Sequence, residues 1–503
     1  MMRVMMLSPK SGAGTEPEQH CGWPGYCSAA MISARSGTLH CDGFRTMLTR
    51  WKSALAEVLL MLGSQACLAF PQPIDRVPTL ERLRVDALVR AHEDVARYAQ
   101  ERTSVSIKTG YTDFRCVLHA HSYLSHDSRG TIAEIAAAAK QAGASAVFLT
   151  NHPRKDLDVV AAGQRGVVEG VLFVAGAEAN GFLLFPGDGK LPPLDTGAQS
   201  LIDAIHRTHG MAFVAHPEEH TDWSLSRLTG MEIYNTHADF LDEAELIAEL
   251  KPQDAAGRKR LFQLLEAFHR YPQEAFASIF DPPTANLARY DALFAKGPFA
   301  AIAANDSHQN VGFILKGAAD GGIVIEDPLG EELGRIAPDQ VAKLFGNLGT
   351  PQPSRTLLAR ILDPYSVSFH YVSTHVLAKE CTPSALQEAL QHGRTYVAFD
   401  WIADPTGAAF VLKTADHSWT IGDTVSLDQR PVLELELPLS CTIRVVRNGG
   451  VVLERNGRKL TVPLREAGVY RVEAWLRVAG EDRAWIYTGG MRVTPHPSTS
   501  SRH

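Results

Sequence analysis

Between residues 110 and 310 the chain alternates two hydrophobic textures. Short apolar runs (FRCVL, AVFLT, GVLFVAGA, MAFVA, MEIY and FAAIAA) are separated by stretches of helical period such as TIAEIAAAAKQAGA and AQSLIDAIHRTHG. Runs this short, alternating with helical stretches, predict parallel strands with crossover helices, hence an α/β fold, open or closed into a barrel. Ahead of it, residues 76–102 carry a helical apolar period with many charges and predict a surface helix. Residues 237–298 break the strand rhythm with charged helical sequence (FLDEAELIAELKPQ, KRLFQLLEAFHRY), readable as a cap over a site or as a purely structural insertion. TPSALQEALQHGRTYVAF predicts one more helix, ended by Gly393. Past residue 400 the period changes to two: PVLELELP, CTIRVVRNGG, VVLERNGR, KLTVPL, VYRVEAWLRV and AWIYTGGMRV. With Asn448-Gly449 and Asn456-Gly457 as hairpin turns, residues 401–495 predict an antiparallel β-sandwich without a ligand cluster of its own.

Polar residues at the ends of these apolar runs point beyond fold to chemistry. FRCVL leads to His119 and His121, AVFLT to Asn151 and His152, FVAGA to Glu178, MAFVA to His216, MEIY to Asn235, and FAAIAA to Asn305, Asp306 and His308. Strands of a parallel α/β fold place their C-terminal ends on one rim, where residues from several strands build a site. Alternate strand residues face the same way, so His119-x-His121 presents two imidazoles to one ion. Carboxylates among them can bridge two cations, the arrangement that drives hydrolytic displacement. A His/Asp/Glu set without thiolate suits Zn²⁺, Mn²⁺ or Fe²⁺.

Composition narrows the classes. The 503 residues are 45% hydrophobic and 21% charged, with a net charge of −7, as in an ordinary soluble globular protein of two or three domains. No long Lys/Arg run is present, which disfavours nucleic acid as partner. The seven cysteines are scattered without a CxxC pair, against a thiolate zinc site. Residues 47–70, MLTRWKSALAEVLLMLGSQACLAF, read as a signal peptide: Arg50 and Lys52, an apolar run, then small residues Ser64 and Ala66. Glu57 interrupts the run, and a buried amphipathic helix is the alternative. Export to the periplasm or medium is therefore expected, with Met47 as start and 1–46 as a disordered upstream extension; a cytoplasmic protein is expected if the segment is no signal. The run is too short for a stable membrane span.

The motif order HAHS, SHDS, LTNHP, GAEAN, AHP and NDSH resembles the PHP (polymerase and histidinol phosphatase) family. The resemblance covers roughly residues 110–320 and implies a distorted (β/α)7 barrel, within residues 76–400, holding two or three divalent metal ions. It implies His119, His121, Asp127, His152, Glu178, His216, Asp306 and His308 as ligands, with Asp127 preferred to His126 for its spacing. Asp306 and His216 would serve the reacting centre, and Arg154 after NHP an anionic group, the alternative for Arg154 and Lys155 being a solvated turn. Asn151, Arg154, Tyr234, Asn235 and His237 are candidates to contact substrate. Two departures stand out: Gly181-Phe182-Leu183-Leu184 comes soon after Glu178 where many members carry a histidine, and Asn151 stands where an acidic residue is usual, able to accept a hydrogen bond from substrate or from a residue behind the ligands instead. Asp188 or His237 could complete the set. GMEIYNTHADF, ALQEALQHGRTYVAF and the C-terminal strands are similar to the CehA/McbA subgroup. His206, His209, His220, His370 and His375 are read as structural or surface residues. The expected activity is phosphoester hydrolysis of a small molecule by metal-activated water; the alternatives are carboxylic or carbamate ester hydrolysis, or a non-catalytic envelope-binding protein.

Overall fold

A computed structural model describes residues 77–220, 224–249, 255–345 and 351–495; the segments 1–46 and 47–70 lie outside them. The described chain opens with α1 (Thr79–Arg82) and α2 (Val85–Glu101). Helix α2 buries Ala87, Leu88, Ala91 and Tyr98, one stripe at helical spacing. Then come β1 (Thr112–Ala120), α3 (Ile132–Gln141), β2 (Ala146–Asn151), β3 (Gly166–Val168), β4 (Val171–Ala179), β5 (Phe182–Phe185), α4 (Ala198–Arg207), β6 (Met211–Val214) and β7 (Gly230–Asn235). Helix α3 starts at a capping box in which Thr131 accepts from the Glu134 N–H and Glu134 reaches back.

The sheet begins β1–β2–β4 in parallel, passes through β5 antiparallel to both neighbours, and continues β6–β7–β8 in parallel, with β8 spanning Ala300–Ala304. Since β4 and β6 both oppose β5, six strands point one way and bring their C-terminal ends to one rim. The α/β reading holds; the hydrogen bonding does not show a (β/α)7 barrel. Among the described residues no ladder closes the sheet: the chain just past β8 returns to the end of β1 through one isolated bridge, Ala120 opposite Ser307. The reason lies in β13 (Ser373–Ala378), which takes that edge of β1 from Thr112 to Cys116 and leaves only its end for β8. There the Asp306 N–H donates to the His119 carbonyl (3.0 Å) and the His121 N–H to the Ser307 carbonyl (3.0 Å).

Between β7 and β8 the chain forms α5 (Thr236–Leu241), α6 (Ala244–Glu249), α7 (Ala255–Arg270), α8 (Pro272–Phe276) and α9 (Thr284–Phe294), within the stretch expected as an insertion. After β8 come four strands that the apolar pattern does not announce: β9 (Gly312–Gly317), β10 (Ile323–Glu326), β11 (Glu332–Ile336) and β12 (Thr356–Ile361). They form a separate antiparallel sheet, carrying α10 (Pro338–Phe345) between β11 and β12. Next in the chain are α11 (Tyr365–Tyr371), β13, α12 (Pro383–Gln391) and β14 (Thr395–Ala398). Gly393, at φ +70°, ends α12 where a Cβ would meet the Phe299 carbonyl at 2.8 Å.

The remaining strands are β15 (Ala409–Lys413), β16 (Ser418–Thr420), β17 (Thr424–Ser426), β18 (Val432–Arg447), β19 (Gly450–Pro463), β20 (Gly468–Val478), β21 (Glu481–Thr488) and β22 (Met491–Thr494). All pair antiparallel except β17 with β22. Asn448 and Gly449, both at positive φ, form the β18–β19 turn. Asn456-Gly457 is no turn: it sits inside β19, with Gly457 opposite Cys441 at a register shift. Hydrogen bonding runs straight across the expected boundary at residue 401, since β14 pairs with β21. One apolar core, including Tyr234, Tyr396, Phe399, Trp401, Trp485 and Tyr487, spans both sides. No helix among the described residues is long and apolar enough to cross a membrane.

Candidate metal centre

The rim gathers eight metal-competent side chains into two groups of four. One comprises His119, Glu178, His216 and Asp306, the other His121, Asp127, His152 and His308; within each, one ligand atom per residue lies within 4.8 Å of the rest. The groups adjoin. Glu178 Oε2 is 3.2 Å from His119 Nε2, 3.3 Å from His121 Nε2 and 3.5 Å from His152 Nδ1, while its Oε1 is 3.1 Å from His216 Nε2. Asp306 likewise faces His119 and His121 through Oδ1 (3.2 and 3.3 Å) and His216 through Oδ2 (3.4 Å). Asp127 Oδ2 sits 3.3 Å from the Nε2 atoms of both His152 and His308. His126 is the exposed neighbour, 3.9 Å from that same oxygen, and stands outside both groups.

A second layer orients these rings. His119 Nδ1 lies 2.7 Å from Glu232 Oε1, His121 Nδ1 3.0 Å from Ser125 Oγ, and His308 Nδ1 donates to the Asp306 carbonyl at 2.9 Å. With Nδ1 held from outside, each ring turns Nε2 toward the shared centre, as metal-ligating histidines do. Glu232 is fully buried, and none of the sequence motifs singles it out. Its other oxygen accepts from the His216 N–H and from Asn235 Nδ2, both at 2.9 Å. The signal in the sequence is an acid inside the apolar strand MEIY, on the face alternate to Met231 and Ile233.

The arrangement fits cations better than it fits itself. Asp127 Oδ1, Asp306 Oδ1 and His308 Nε2 are buried and make no hydrogen bond despite close neighbours. Such orphaned groups cost about 1–3 kcal/mol each when nothing compensates them. His216 and Asp306 also hold left-handed backbone, φ 46° and 48°, a strained conformation that clusters at functional sites. Charge tells the same story. Burial opposes the charged form of every group here, yet Asp306, Glu178 and Glu232 hold His119 well above its usual range. Glu178 pushes His216 up to about 12 and Asp127 raises His308. Burial and the neighbouring His308 push His121 down to about 4. Despite burial, His119 keeps Glu178 and Asp306 well below the carboxylate range, and His152 and His308 do so for Asp127. The carboxylates demand positive charge; protons on imidazoles supply it here, and divalent ions compete for the same nitrogens.

The substrate candidates fare differently. Asn151 is fully buried, its Oδ1 accepting from Ser122 N and Oγ and so bracing the 122–125 loop; its Nδ2 is buried without a hydrogen-bond partner. Tyr234 is also buried, its hydroxyl bonded to Asp239 and 2.7 Å from that of Tyr371. Asn235 caps α5 by accepting from the His237 and Ala238 N–H groups. Arg154 lies on the exposed loop after His152, its guanidinium held by both oxygens of Asp156. His237 sits edge-on to His216 with ring centroids 6.1 Å apart, beyond the two groups of four. Asp188 accepts from the Lys190 N–H and is no member of either group. His375 is buried between Asp113 and Asp400, as a structural histidine.

No family model matches the chain, and no curated protein matches it. Among solved structures, one similar chain is a two-domain protein from Bacteroides vulgatus containing a predicted PHP-like metal-dependent phosphoesterase. It is 14% identical, covers 77% of this chain and 98% of its own, and superposes with a TM-score of 0.29. Another is beta-glucuronidase 2 of Bacteroides uniformis, 11% identical over 75% of this chain and 46% of that one, with a TM-score of 0.14. Neither superposition is close enough to bear on function, which is read from the geometry of the rim.

Proposed function

We propose that this chain is a metal-dependent hydrolase of the PHP superfamily, in the manner of its CehA/McbA subgroup, acting on a small phosphoester. The observation that carries the reading is the convergence of eight buried or half-buried donors from the rim of one sheet, with imidazole Nε2 atoms turned inward by an outer layer. Two or three divalent ions, Zn, Mn or Fe, bound there would polarise the ester oxygens and acidify a water at neutral pH. Glu178 and Asp306 each face histidines of both groups and would be the carboxylates to hold ions on either side. Asp306 Oδ1 and Asp127 Oδ1, both buried without a hydrogen-bond partner, would be the acceptors free to hold a water at the centre, with Asp306 the one shared by His119, His121 and His216. Arg154 would meet the phosphoryl group only by releasing Asp156.

That last requirement favours a second reading, a carboxylic or carbamate ester. Arg129 is spent on the carbonyls of His126 and Ser128, and Arg289 donates to the Pro217 carbonyl. A cavity of about 250 Å³ behind Asn235 and Glu218 is walled by Asp239, Asp242 and Asp281; none of this welcomes a dianion. Export through segment 47–70 belongs to the same proposal, and an intact segment in a cytosolic native protein, seen by N-terminal sequencing, would remove it. The function is tested by metal analysis of the purified protein, then parallel assays on nitrophenyl phosphate, bis-nitrophenyl phosphate and naphthyl carbamate. Glu178→Gln is expected to lose metal and activity together. Activity retained by metal-free Glu178→Gln protein would sink the reading.

A further inference from the structure

Away from the rim, α1, α2, the turn after α8 and the β20–β21 hairpin enclose a cavity of about 310 Å³, in the size range that holds small ligands. None of its lining residues is one of the eight rim donors. Four arginines and four carboxylates line it; one carboxylate, Glu81, is exposed, and the other three are engaged. At the mouth Asp86 takes both Arg84 (3.2 Å) and Arg90 (3.0 Å). Deeper, Glu274 is held by His92 (2.7 Å), and Glu481 is gripped by both Nε and Nη2 of Arg82 (3.0 and 2.5 Å). Arg82 completes its fork on the carbonyls of Ser278 and Phe280.

Arg483 is left over. It is 5% exposed, yet no carboxylate reaches it at hydrogen-bond distance: Glu481 Oε2 stands 3.6 Å from Nη1. Its Nη2 donates to the Ala277 carbonyl, and its Nε is buried without a partner. Phe280 and Trp401 flank the guanidinium, at 5.2 and 5.4 Å from their ring centres. A buried cation so placed is under-compensated: burial first, then the neighbouring Arg82, push Arg483 down to about 10. The rest of the inner wall is apolar, formed by Ala87, Leu88, Ala91, Trp401 and Val478.

We infer that this cavity binds a small carboxylate with an apolar body, its carboxylate meeting Arg483 and its body lying against Trp401, Leu88 and Val478. A planar guanidinium pairs with a carboxylate through parallel N–H donors, and that match sets the ligand class. The inference is independent of the rim's chemistry. The test is calorimetric titration of the full chain with benzoate, neutral benzamide and inorganic phosphate. Benzoate is expected to bind saturably, with benzamide and Arg483→Met each weakening binding about ten- to a hundredfold. Ala87→Phe, which fills the cavity from α2, is expected to abolish benzoate binding while metal content stays unchanged, and it decides the matter if Arg483→Met fails to fold. Absence of saturable benzoate binding, equal binding of benzamide, preference for phosphate over benzoate, or benzoate binding unchanged by Ala87→Phe overturns the inference.

Discussion

Glu232→Gln removes one charge from beneath the rim without changing the shape of the side chain. Glu232 uses two oxygens for three donors: Oε1 for His119 Nδ1 at 2.7 Å, Oε2 for the His216 N–H and Asn235 Nδ2 at 2.9 Å. A glutamine has only one acceptor oxygen. If that oxygen faces His216 and Asn235, the amide NH₂ meets His119 Nδ1, which must then give up its proton to accept, so that the neutral ring carries its one proton on Nε2, the nitrogen aimed at Glu178 and Asp306. If the amide is turned over, two donors collide with the NH₂, and His216 loses the bond that fixes its left-handed backbone. Either way one ligand is spoiled, while none is deleted. Loss of an outer partner of this type costs about 10–100-fold in metal affinity, or about 1.4–2.8 kcal/mol. Competition of the purified variant against a chromogenic chelator at fixed pH measures this, with circular dichroism confirming the fold. A folded Glu232→Gln protein that binds Zn²⁺ or Mn²⁺ within about twofold of the parent would refute the claim that Glu232 sets the His119 tautomer.

The 126–127 pair separates neighbours that sequence alone ranks nearly alike: Asp127→Asn is expected to lower bound metal per chain, by plasma emission, whereas His126→Ala leaves it unchanged. The buried His375 predicts a pH dependence of stability. Burial disfavours its charged form, but Asp113 and Asp400 outweigh that and hold its pKa up to about 9, against an ordinary 6.5. Because the folded-state value is the higher one, the stabilisation is complete below about pH 6.5 and drains away as pH rises through 9. It is on the order of 3 kcal/mol. Urea midpoints should therefore fall from pH 7 to pH 10 in the parent, and His375→Asn should flatten that limb; a parent curve level across the window would contradict the assignment.

Legibility in the sequence tracked the range of the interactions. Each of the six apolar runs could be read because burial on both faces of a parallel strand forces a continuous apolar run, a property of the local sequence. β5 escaped because Phe182-Leu183-Leu184-Phe185 is as apolar as its neighbours and carries no mark of direction; only the two-residue turn at Asn180-Gly181, both at positive φ, reverses the chain there. The sheet β9–β12 escaped for the opposite reason. Its strands are half-exposed, with Lys316, Glu326 and Arg335 among the apolar positions, so neither period stands out. Asn456-Gly457 misled because the same dipeptide that turns a two-residue loop is tolerated within a strand where the register shifts.

The site divides along the same line. Seven of the eight rim donors were nameable because each stands at or just past the end of an apolar run, and strand direction alone brings such positions together; Asp127, in the loop beyond β1, was named only through the resemblance of SHDS to the family motif. Of their outer partners only Asn151 was named, with a supporting hydrogen bond as one of its two readings; Glu232 and Ser125 were not, since they act through contacts that depend on which rotamer a ring adopts. Asn151 shows the difference sharply. As a polar residue next to a ligand it invites either a substrate role or a supporting one, and β2 ends with its side chain turned inward, where the two Ser122 donors meet its Oδ1. A carboxylate in its place would satisfy those donors too, but would add a further negative charge beneath a centre already holding Asp127, Glu178, Glu232 and Asp306. An asparagine at 151 therefore keeps the loop bonds beside His121 while limiting the positive charge the centre must recruit.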